Sequence, residues 1–302
     1  MHQRPLGTSG LSVGAIAFGC WRFAGVDTSI AARRISTALD CGMTLVDTAD
    51  VYGLDNDCEW GDAESLLGDV FAASPGLRDQ IVLATKGGIQ LERGVGLGVP
   101  YDASGEHIRN ACDASLRRLR TDRIDLYQIH RPDLLAHPAE TAGALDALIA
   151  AGKVRFVGVS NYAASQTAAL QSHLQANIVS VQPEFSIACL TPIDDGVLDQ
   201  AMQLGCTPLA WSPLAGGRLV VDDAPDERFR ALGAVLDELA GAYNSTRTGI
   251  ALAFLLGHPA GVIPIVGTGR PERIVEAAAA ADVVLAKDDC YRLVAAAGRS
   301  LP

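Results

Sequence analysis

The sequence predicts an α/β fold in which eight strands, each followed by a helix, close into a (β/α)8 TIM barrel with a short N-terminal β-hairpin. Strand-like apolar runs alternate with helical patterns along the 302 residues, and the runs are unbroken, as in strands covered on both faces. Each strand and helix together take roughly 30–40 residues, which is the spacing of such a barrel. Because no linker or low-complexity tract interrupts the pattern, we interpret residues 1–302 as a single domain.

Each element of the barrel has its own segment of the sequence. The strand-like runs are Ala15–Phe18, Thr44–Asp47, Ile81–Thr85, Ile124–Ile129, Val154–Ser160, Ile178–Gln182, Pro208–Trp211 and Val262–Val266. The helical patterns are Ser29–Cys41, Ala63–Ala72, Gly105–Leu119, Pro138–Ala151, Ala163–Leu174, Asp194–Leu204, Asp226–Ala242 and Pro271–Ala280. The segment Arg4–Val13 has Gly7 and Gly10 near its centre and predicts the hairpin.

The main alternative is a doubly wound open sheet. That fold would place a G-x-G-x-x-G turn after its first strand. The corresponding turn here, residues 18–23, reads FGCWRF, and this favours the barrel.

Composition and charge exclude several classes of protein. Hydrophobic residues make up 49% of the chain and charged residues 20%, which is typical of a globular protein and not of a disordered one. The net charge is −11 without a basic run, so we expect neither nucleic acid nor a membrane as a partner. The seven cysteines form no C-x-x-C pair, and neither a signal peptide nor a membrane-spanning segment is recognisable. We therefore expect a cytoplasmic protein with reduced cysteines and no metal.

Polar side chains gather where three successive predicted strands end. Asp47, Lys86 and His130 occupy these ends, and Tyr52 follows Asp47 by one short loop. The barrel fold brings strand ends together at one rim, where the chemistry of such barrels takes place. A buried lysine needs a carboxylate partner, and a cation beside a phenol lowers the pKa of that phenol. We therefore expect Asp47 to pair with Lys86, and Tyr52 to act as a proton donor and acceptor.

These residues stand in motifs that resemble those of the aldo-keto reductases. The resemblance runs from about Arg4 to Ala280 and rests on several motifs in register: VDTADVYG, LATKGG, LYQIHRPD, VGVSNY, VQPEF, LAWSPLAGG and IPIVGTGRPERIVEA. It implies an oxidoreductase that reduces an aldehyde or ketone by direct hydride transfer from NADPH, without a Rossmann fold. It also implies that Tyr52 is the proton donor, that Lys86 held by Asp47 tunes it, and that His130 orients the substrate carbonyl.

The same resemblance implies a set of cofactor-binding residues. Ser160, Asn161 and Gln182 would hold the nicotinamide carboxamide, and Trp211 would stack on the ring. The remaining positions follow the pyrophosphate and the adenosine end: Ser212, Leu214, Gly216, Gly267, Thr268, Arg270, Arg273 and Glu276.

Two positions depart from a common pattern of the family. Gly267 stands where a lysine usually helps to hold the 2′-phosphate, and Ala277 stands where an asparagine usually contacts adenine. Arg270 and Arg273 would supply the missing charge, because arginine grips phosphate with two donors. NADPH is thus the expected cofactor, and NADH remains an alternative.

Substrate choice depends on the loops. Trp21, Trp60 and Arg131 follow predicted strands and are candidates for the walls of a pocket for a small carbonyl substrate. The loops with most influence would be 22–28, 53–61 and 87–101, and their chemistry does not name the substrate or the oligomeric state.

Two other functions are compatible with parts of this pattern. In a lyase, Lys86 would attack a carbonyl substrate to form a Schiff base, but Ser160, Gln182 and Trp211 would then have no function. In a redox-sensing or regulatory protein of the same fold, the cofactor would be retained without rapid turnover.

Overall fold

The computed structural model describes residues 1–54, 58–90, 101–222 and 226–300. Residues 55–57 and 91–100, which belong to two of the loops expected to influence substrate choice, lie outside this range. The antiparallel pair β1 (Gln3–Pro5) and β2 (Ser12–Gly14) precedes a closed parallel barrel. The barrel strands are β3 (Ala17–Gly19), β4 (Leu45–Asp47), β5 (Val82–Gly87), β6 (Ile124–Ile129), β7 (Val154–Ser160), β8 (Ile178–Gln182), β9 (Thr207–Ala210) and β10 (Ile263–Val266).

The helices surround this barrel. They are α1 (Thr28–Asp40), α2 (Asp62–Ala73), α3 (Gly105–Leu119), α4 (Pro138–Ala150), α5 (Ala164–Gln171), α6 (Thr191–Asp194), α7 (Val197–Leu204), α8 (Glu227–Ala242), α9 (Arg247–Leu256), α10 (Pro271–Ala279) and α11 (Lys287–Ala296). Short 3-10 helices cover Arg78–Gln80, Ala215–Val220 and Ala280–Asp282. Within the described residues, no helix combines the length and the apolar character that crossing a bilayer requires. The predicted fold class, a (β/α)8 barrel with an N-terminal hairpin, is confirmed.

The hairpin closes the amino end of the barrel. Leu6 and Val13 are fully buried in the cluster that fills the barrel interior, together with Leu45 and Leu126 from the strands. The backbone N–H of Gly7 donates to Thr207 Oγ1 at 2.7 Å. Gly7 has φ +53°, and a Cβ there would collide with the carbonyl oxygen of Val179, so this close approach requires glycine.

Three features of the helical layer differ from the prediction. The segment predicted as one helix over Asp194–Leu204 is divided, because Gly196 adopts a left-handed conformation (φ +80°) between α6 and α7. The sequence analysis missed α9, in which every residue from Thr248 to Leu256 is buried. A helix that is apolar on all sides lacks the periodicity by which amphipathic helices are recognised. It also missed α11.

Candidate active site

The polar side chains predicted to act together meet at the carboxyl ends of the barrel strands. Asp47 is the last residue of β4, Lys86 is next to last in β5, and His130 directly follows β6. Ser160 and Gln182 are the last residues of β7 and β8. Because parallel strands end at the same rim, residues far apart in sequence become neighbours there.

Tyr52 reaches this rim from the turn between β4 and α2. Its backbone N–H donates to the carbonyl of Ala49 at 3.2 Å, and its own carbonyl accepts from the N–H of Ala63 in the first turn of α2. The turn is thus fixed at both ends, and the phenol is held over β5.

Lys86 links Asp47 and Tyr52. Its ammonium donates to Asp47 Oδ2 at 2.7 Å, to the carbonyl oxygen of Thr48 at 2.9 Å and to Tyr52 Oη at 3.2 Å. These contacts use all three N–H donors of the ammonium. Lys86 is fully buried and Asp47 is 2% exposed, so removal of either partner would leave an unpaired buried charge.

Burial and pairing act against each other on these two groups. For Lys86, burial lowers the pKa, but the Asp47 carboxylate and the Tyr52 phenol together outweigh it and raise the pKa above 10.5. For Tyr52, burial raises the pKa above 10.0, and Lys86 opposes this without reversing it. The expectation that Lys86 brings the phenol below its ordinary pKa is therefore wrong for the protein alone. Desolvation of the phenolate is the larger effect.

His130 lies beside the phenol as a neutral imidazole. The rings of His130 and Tyr52 are 6.0 Å apart between centroids and nearly perpendicular, at 78°. Burial, with further contributions from Lys86 and Arg131, holds the pKa of His130 well below 6.5. Its buried Nδ1 has no hydrogen-bond partner in the part of the chain that the structure describes. A neutral imidazole carries one N–H donor and one acceptor, which suits it to contact a carbonyl substrate.

A chain of hydrogen bonds connects the predicted nicotinamide-binding residues. Asn161, in a left-handed conformation (φ 59°), donates through Nδ2 to Ser160 Oγ at 2.9 Å. The indole Nε1 of Trp211 donates to Asn161 Oδ1 at 3.0 Å. The hydroxyl of Ser160 donates to the carbonyl of Gln182 at 3.1 Å. The orientation of the Trp211 ring is therefore coupled to the position of Asn161.

A cavity of about 650 Å³ opens over these groups, within the range typical of ligand sites. Most residues predicted from the sequence line it: Trp21, Asp47, Tyr52, His130, Arg131, Ser160, Asn161, Gln182, Trp211, Ser212, Leu214, Gly216, Gly267, Thr268, Arg273 and Glu276. Lys86 does not line the cavity and lies beneath Tyr52 with its ammonium 4.9 Å from the centre of the phenol ring.

Besides Lys86, two predicted site residues do not line the cavity. Trp60 is half-buried and does not line the cavity. Arg270 is exposed, and its guanidinium lies 3.5 Å from Glu272, an ion pair in solvent. Arg273, in the first turn of α10, lines the cavity, and its guanidinium has no ion-pair partner among the described residues.

The cavity also includes Arg22 and Tyr101, which belong to the loops 22–28 and 87–101 expected to influence substrate choice, and Thr248, which the sequence analysis missed. Arg22 and Tyr101 stand near its mouth, and Thr248 reaches it from the first turn of α9. Thr248 follows Thr246, whose side chain caps α9 by accepting from the N–H of Gly249. This capping threonine is the sequence signal that would have located the helix start and Thr248 with it.

Similarity to known proteins agrees with this geometry. The model of the aldo/keto reductase family matches residues 15–297. The chain is 47% identical to the 6-dehydroglucose reductase of Novosphingobium aromaticivorans, over 99% of this chain and 97% of that protein. It is 34% identical to the oxidoreductase YdhF of Escherichia coli, and the match covers both chains fully.

A solved structure gives the same result for the fold. The crystal structure of a thermostable aldo-keto reductase in complex with the inhibitor epalrestat superposes with a TM-score of 0.82 at 26% identity, over 98% of this chain and all of that one. A family match that spans the chain, close relatives over their full length and a shared barrel lead to one conclusion: the protein is an oxidoreductase of the aldo/keto reductase family.

Proposed function

We propose that the protein reduces an aldehyde or ketone to an alcohol with NADPH, and that Tyr52 delivers the proton. The observation that carries this proposal is the contact of Lys86 with both Asp47 and Tyr52 directly beneath the cavity. A phenol backed by a buried ammonium and exposed to a cavity on its other side is suited to proton transfer to a bound carbonyl.

The residues of the cavity fit a nicotinamide cofactor. The Trp211 indole offers a flat surface for an aromatic ring; the amide of Asn161 is hydrogen-bonded to it, and Gln182 lines the same cavity. Toward the other end, Gly216 and Gly217 adopt left-handed conformations (φ 72° and 99°), and a Cβ at either would meet open space. Arg273, which lines the cavity, supplies a guanidinium for a phosphate. When bound, a reduced nicotinamide supplies a hydride.

The chain's own residues then act on the carbonyl oxygen. Tyr52 Oη donates its proton to the oxygen as negative charge develops there, and the neutral imidazole of His130 offers a second donor. The Lys86 ammonium stabilises the phenolate that proton transfer leaves, and Asp47 keeps that ammonium in place. In the reverse direction, the phenolate would accept the proton of an alcohol.

NADPH is favoured over NADH by charge near α10. Arg273 lines the cavity, and Arg270 adds a second positive charge at the N-cap of α10. The helix N-terminus adds a favourable dipole for an anion.

The Schiff-base alternative conflicts with the state of Lys86. Attack on a carbonyl requires a neutral amine with access to substrate. Lys86 is fully buried, donates three hydrogen bonds and has a raised pKa. We therefore retain the reductase and its redox-sensing variant, which differ in turnover.

A sugar-derived carbonyl compound is our proposed substrate class. The relative with 47% identity is a 6-dehydroglucose reductase. At the cavity, the guanidinium of Arg22 lies 5.1 Å from the Trp21 ring centre and that of Arg131 lies 5.9 Å from the Trp211 ring centre. Indole faces and guanidinium donors together suit a ligand with hydroxyl groups on a carbon skeleton.

The experiment combines binding with a single turnover. Titration with NADPH and NADH, followed by tryptophan quenching, measures the cofactor Kd, and 6-dehydroglucose is then mixed with the bound enzyme while NADPH absorbance is followed. We expect oxidation of NADPH with one equivalent of alcohol formed. Tyr52→Phe should slow this step by about 10²–10⁴-fold and leave the Kd within about twofold.

The outcomes separate the alternatives. Tight NADPH binding with negligible turnover on 6-dehydroglucose and on a panel of aldehydes and ketones would favour the redox-sensing protein. A Tyr52→Phe variant with undiminished turnover would remove Tyr52 as the donor. Absence of binding by either nicotinamide cofactor would refute the proposed function itself.

A further inference from the structure

One buried polar side chain at the base of the site has no part in the proposed mechanism. Gln128 is fully buried on β6, directly across from Lys86 on β5 in the parallel register. The same row of the barrel continues through Gly158 on β7 to Ser180 on β8. Uncharged amides are rarely buried in a barrel interior unless their polar atoms are paired.

The amide of Gln128 is paired on both sides. Its Nε2 donates to Asp47 Oδ1 at 3.3 Å. Its Oε1 accepts from Ser180 Oγ at 3.3 Å and from Gln182 Nε2 at 3.4 Å. Gln182 Nε2 also donates to Asp47 Oδ1, at 3.0 Å. One oxygen of Asp47 therefore accepts from two amides, while the other oxygen accepts from Lys86.

The neighbouring strand leaves room for this arrangement. Gly158 stands between Gln128 and Ser180, and a Cβ at that position would lie 2.1 Å from Ser180 Oγ and 3.1 Å from Gln128 Cγ. Any side chain at residue 158 would displace the hydroxyl that orients the Gln128 amide. The glycine is thus required by the close approach of the two polar groups.

We propose that Gln128 is a positioning residue: it fixes the Asp47 carboxylate so that Oδ2 faces Lys86 and Lys86 stays within reach of Tyr52. The inference rests on the proposed function, because it concerns the proton donor of that reaction. A carboxylate free to rotate would present Lys86 with a longer or poorly directed contact. The Gln128 amide, which donates to Oδ1 together with Gln182, restricts that rotation, and Ser180 and Gln182 hold the Gln128 amide in turn.

The kinetic test uses two near-isosteric variants and a matched control. Gln128→Met removes both hydrogen-bonding groups, and Gln128→Glu replaces the donor with an oxygen that repels Asp47. We expect Gln128→Met to lower the rate of carbonyl reduction on the order of tenfold, as for loss of a hydrogen bond to a charged group, and Gln128→Glu to lower it further. The cofactor Kd should stay within about twofold. Gln171→Met, which removes hydrogen bonds to Ala176 and Ile178, should leave the rate unchanged.

A second readout needs no turnover. The chain has three lysines, Lys86, Lys153 and Lys287, so ¹⁵N-lysine labelling gives three side-chain signals, and the one absent from Lys86→Met belongs to Lys86. We expect Gln128→Met to shift that signal and to accelerate its proton exchange with solvent, whereas Gln171→Met changes neither. Ser180→Ala, which removes one donor to Gln128 and leaves the other, should give a smaller change in the same direction.

Failure of the proposal for Gln128 can be distinguished from failure of the proposed reductase function. If the wild-type protein reduces no carbonyl compound, the Lys86 signal still reports whether Gln128 positions it. Should the Gln128 variants fail to fold, Ser180→Ala carries the same comparison. A Lys86 signal and a reduction rate indistinguishable from those of Gln171→Met would overturn the proposal.

Discussion

The phenol of Tyr52 determines the pH dependence expected for the reaction. Burial raises its pKa above 10.0, so the group is protonated and able to donate at neutral pH. The rate of carbonyl reduction should therefore fall only as the pH rises through that raised pKa, above about 10. Alcohol oxidation needs the phenolate and should rise with pH over the same window. The pKa of His130 lies well below 6.5, so no change near that pH is expected.

Single-turnover rates of carbonyl reduction and of alcohol oxidation, measured as a function of pH, test this prediction, because they isolate proton and hydride transfer from product release. Lys86→Met serves as the control, since removal of the ammonium should move the oxidation limb to still higher pH. A reduction rate that declines between about pH 6 and 8 would contradict the assignment, because neither Tyr52 nor His130 titrates there.

At this scale the sequence predicted which polar side chains meet at the rim better than it predicted their electrostatics. Asp47, Tyr52, Lys86 and His130 were found because polar residues at successive strand ends must share a rim. The direction of the shift in the pKa of Tyr52 was predicted wrongly, because it depends on how completely the phenol is removed from water. Gln128 was missed for a related reason: within an apolar strand, one amide gives no sign of which partners the neighbouring strands bring to it.

Among the elements, α10 is expected to control cofactor preference. Arg273 faces the cavity from its first turns, whereas Arg270 at the N-cap pairs with Glu272 in solvent. Arg273→Ala should therefore weaken NADPH binding about tenfold or more, the effect of one charge-assisted hydrogen bond, and NADH binding much less. Arg270→Ala should have the smaller effect on NADPH. Fluorescence titration of both variants with both cofactors tests this, and equal losses for NADPH and NADH would remove Arg273 from recognition of the 2′-phosphate.

The N-terminal hairpin should contribute to stability and not to chemistry. Leu6 is fully buried inside the amino end of the barrel, at the opposite end from Tyr52. Leu6→Ala should lower the free energy of unfolding by about 2–5 kcal/mol through lost burial and a residual cavity. The rate of the catalytic step should stay unchanged in the folded fraction. Urea unfolding and single-turnover kinetics on the same preparation check both statements, and a large rate defect without a stability defect would contradict them.

Element boundaries were predictable where local signals exist and not where packing decides. Gly105–Leu119 was placed correctly because Ser104 caps the helix, accepting from the N–H of His107. The start of α7 was misplaced because Gly196 interrupts a segment whose apolar spacing continues across it. For α9, uniform burial removes the polar face that would have identified the helix, and burial of that kind is a property of the assembled barrel.

For the whole molecule, cofactor binding and folding should be linked. The residues that line the cavity come from many separate segments, from Gly19 on β3 to Ala277 on α10, so the site exists only in the folded chain. A ligand that binds the folded chain alone stabilises it by RT ln(1 + [L]/Kd), about 2.7 kcal/mol at a hundredfold excess over Kd. NADPH should therefore raise the urea midpoint in proportion to the logarithm of its concentration.

Tyr52→Phe should show the same increase in the urea midpoint with NADPH, because the phenol is proposed to act on the substrate carbonyl. Arg273→Ala should need a higher NADPH concentration for an equal increment, by the factor its Kd has risen. If millimolar NADPH leaves the urea midpoint of the wild-type protein unchanged, this cavity is not the binding site of NADPH, whatever the enzyme does with carbonyl compounds.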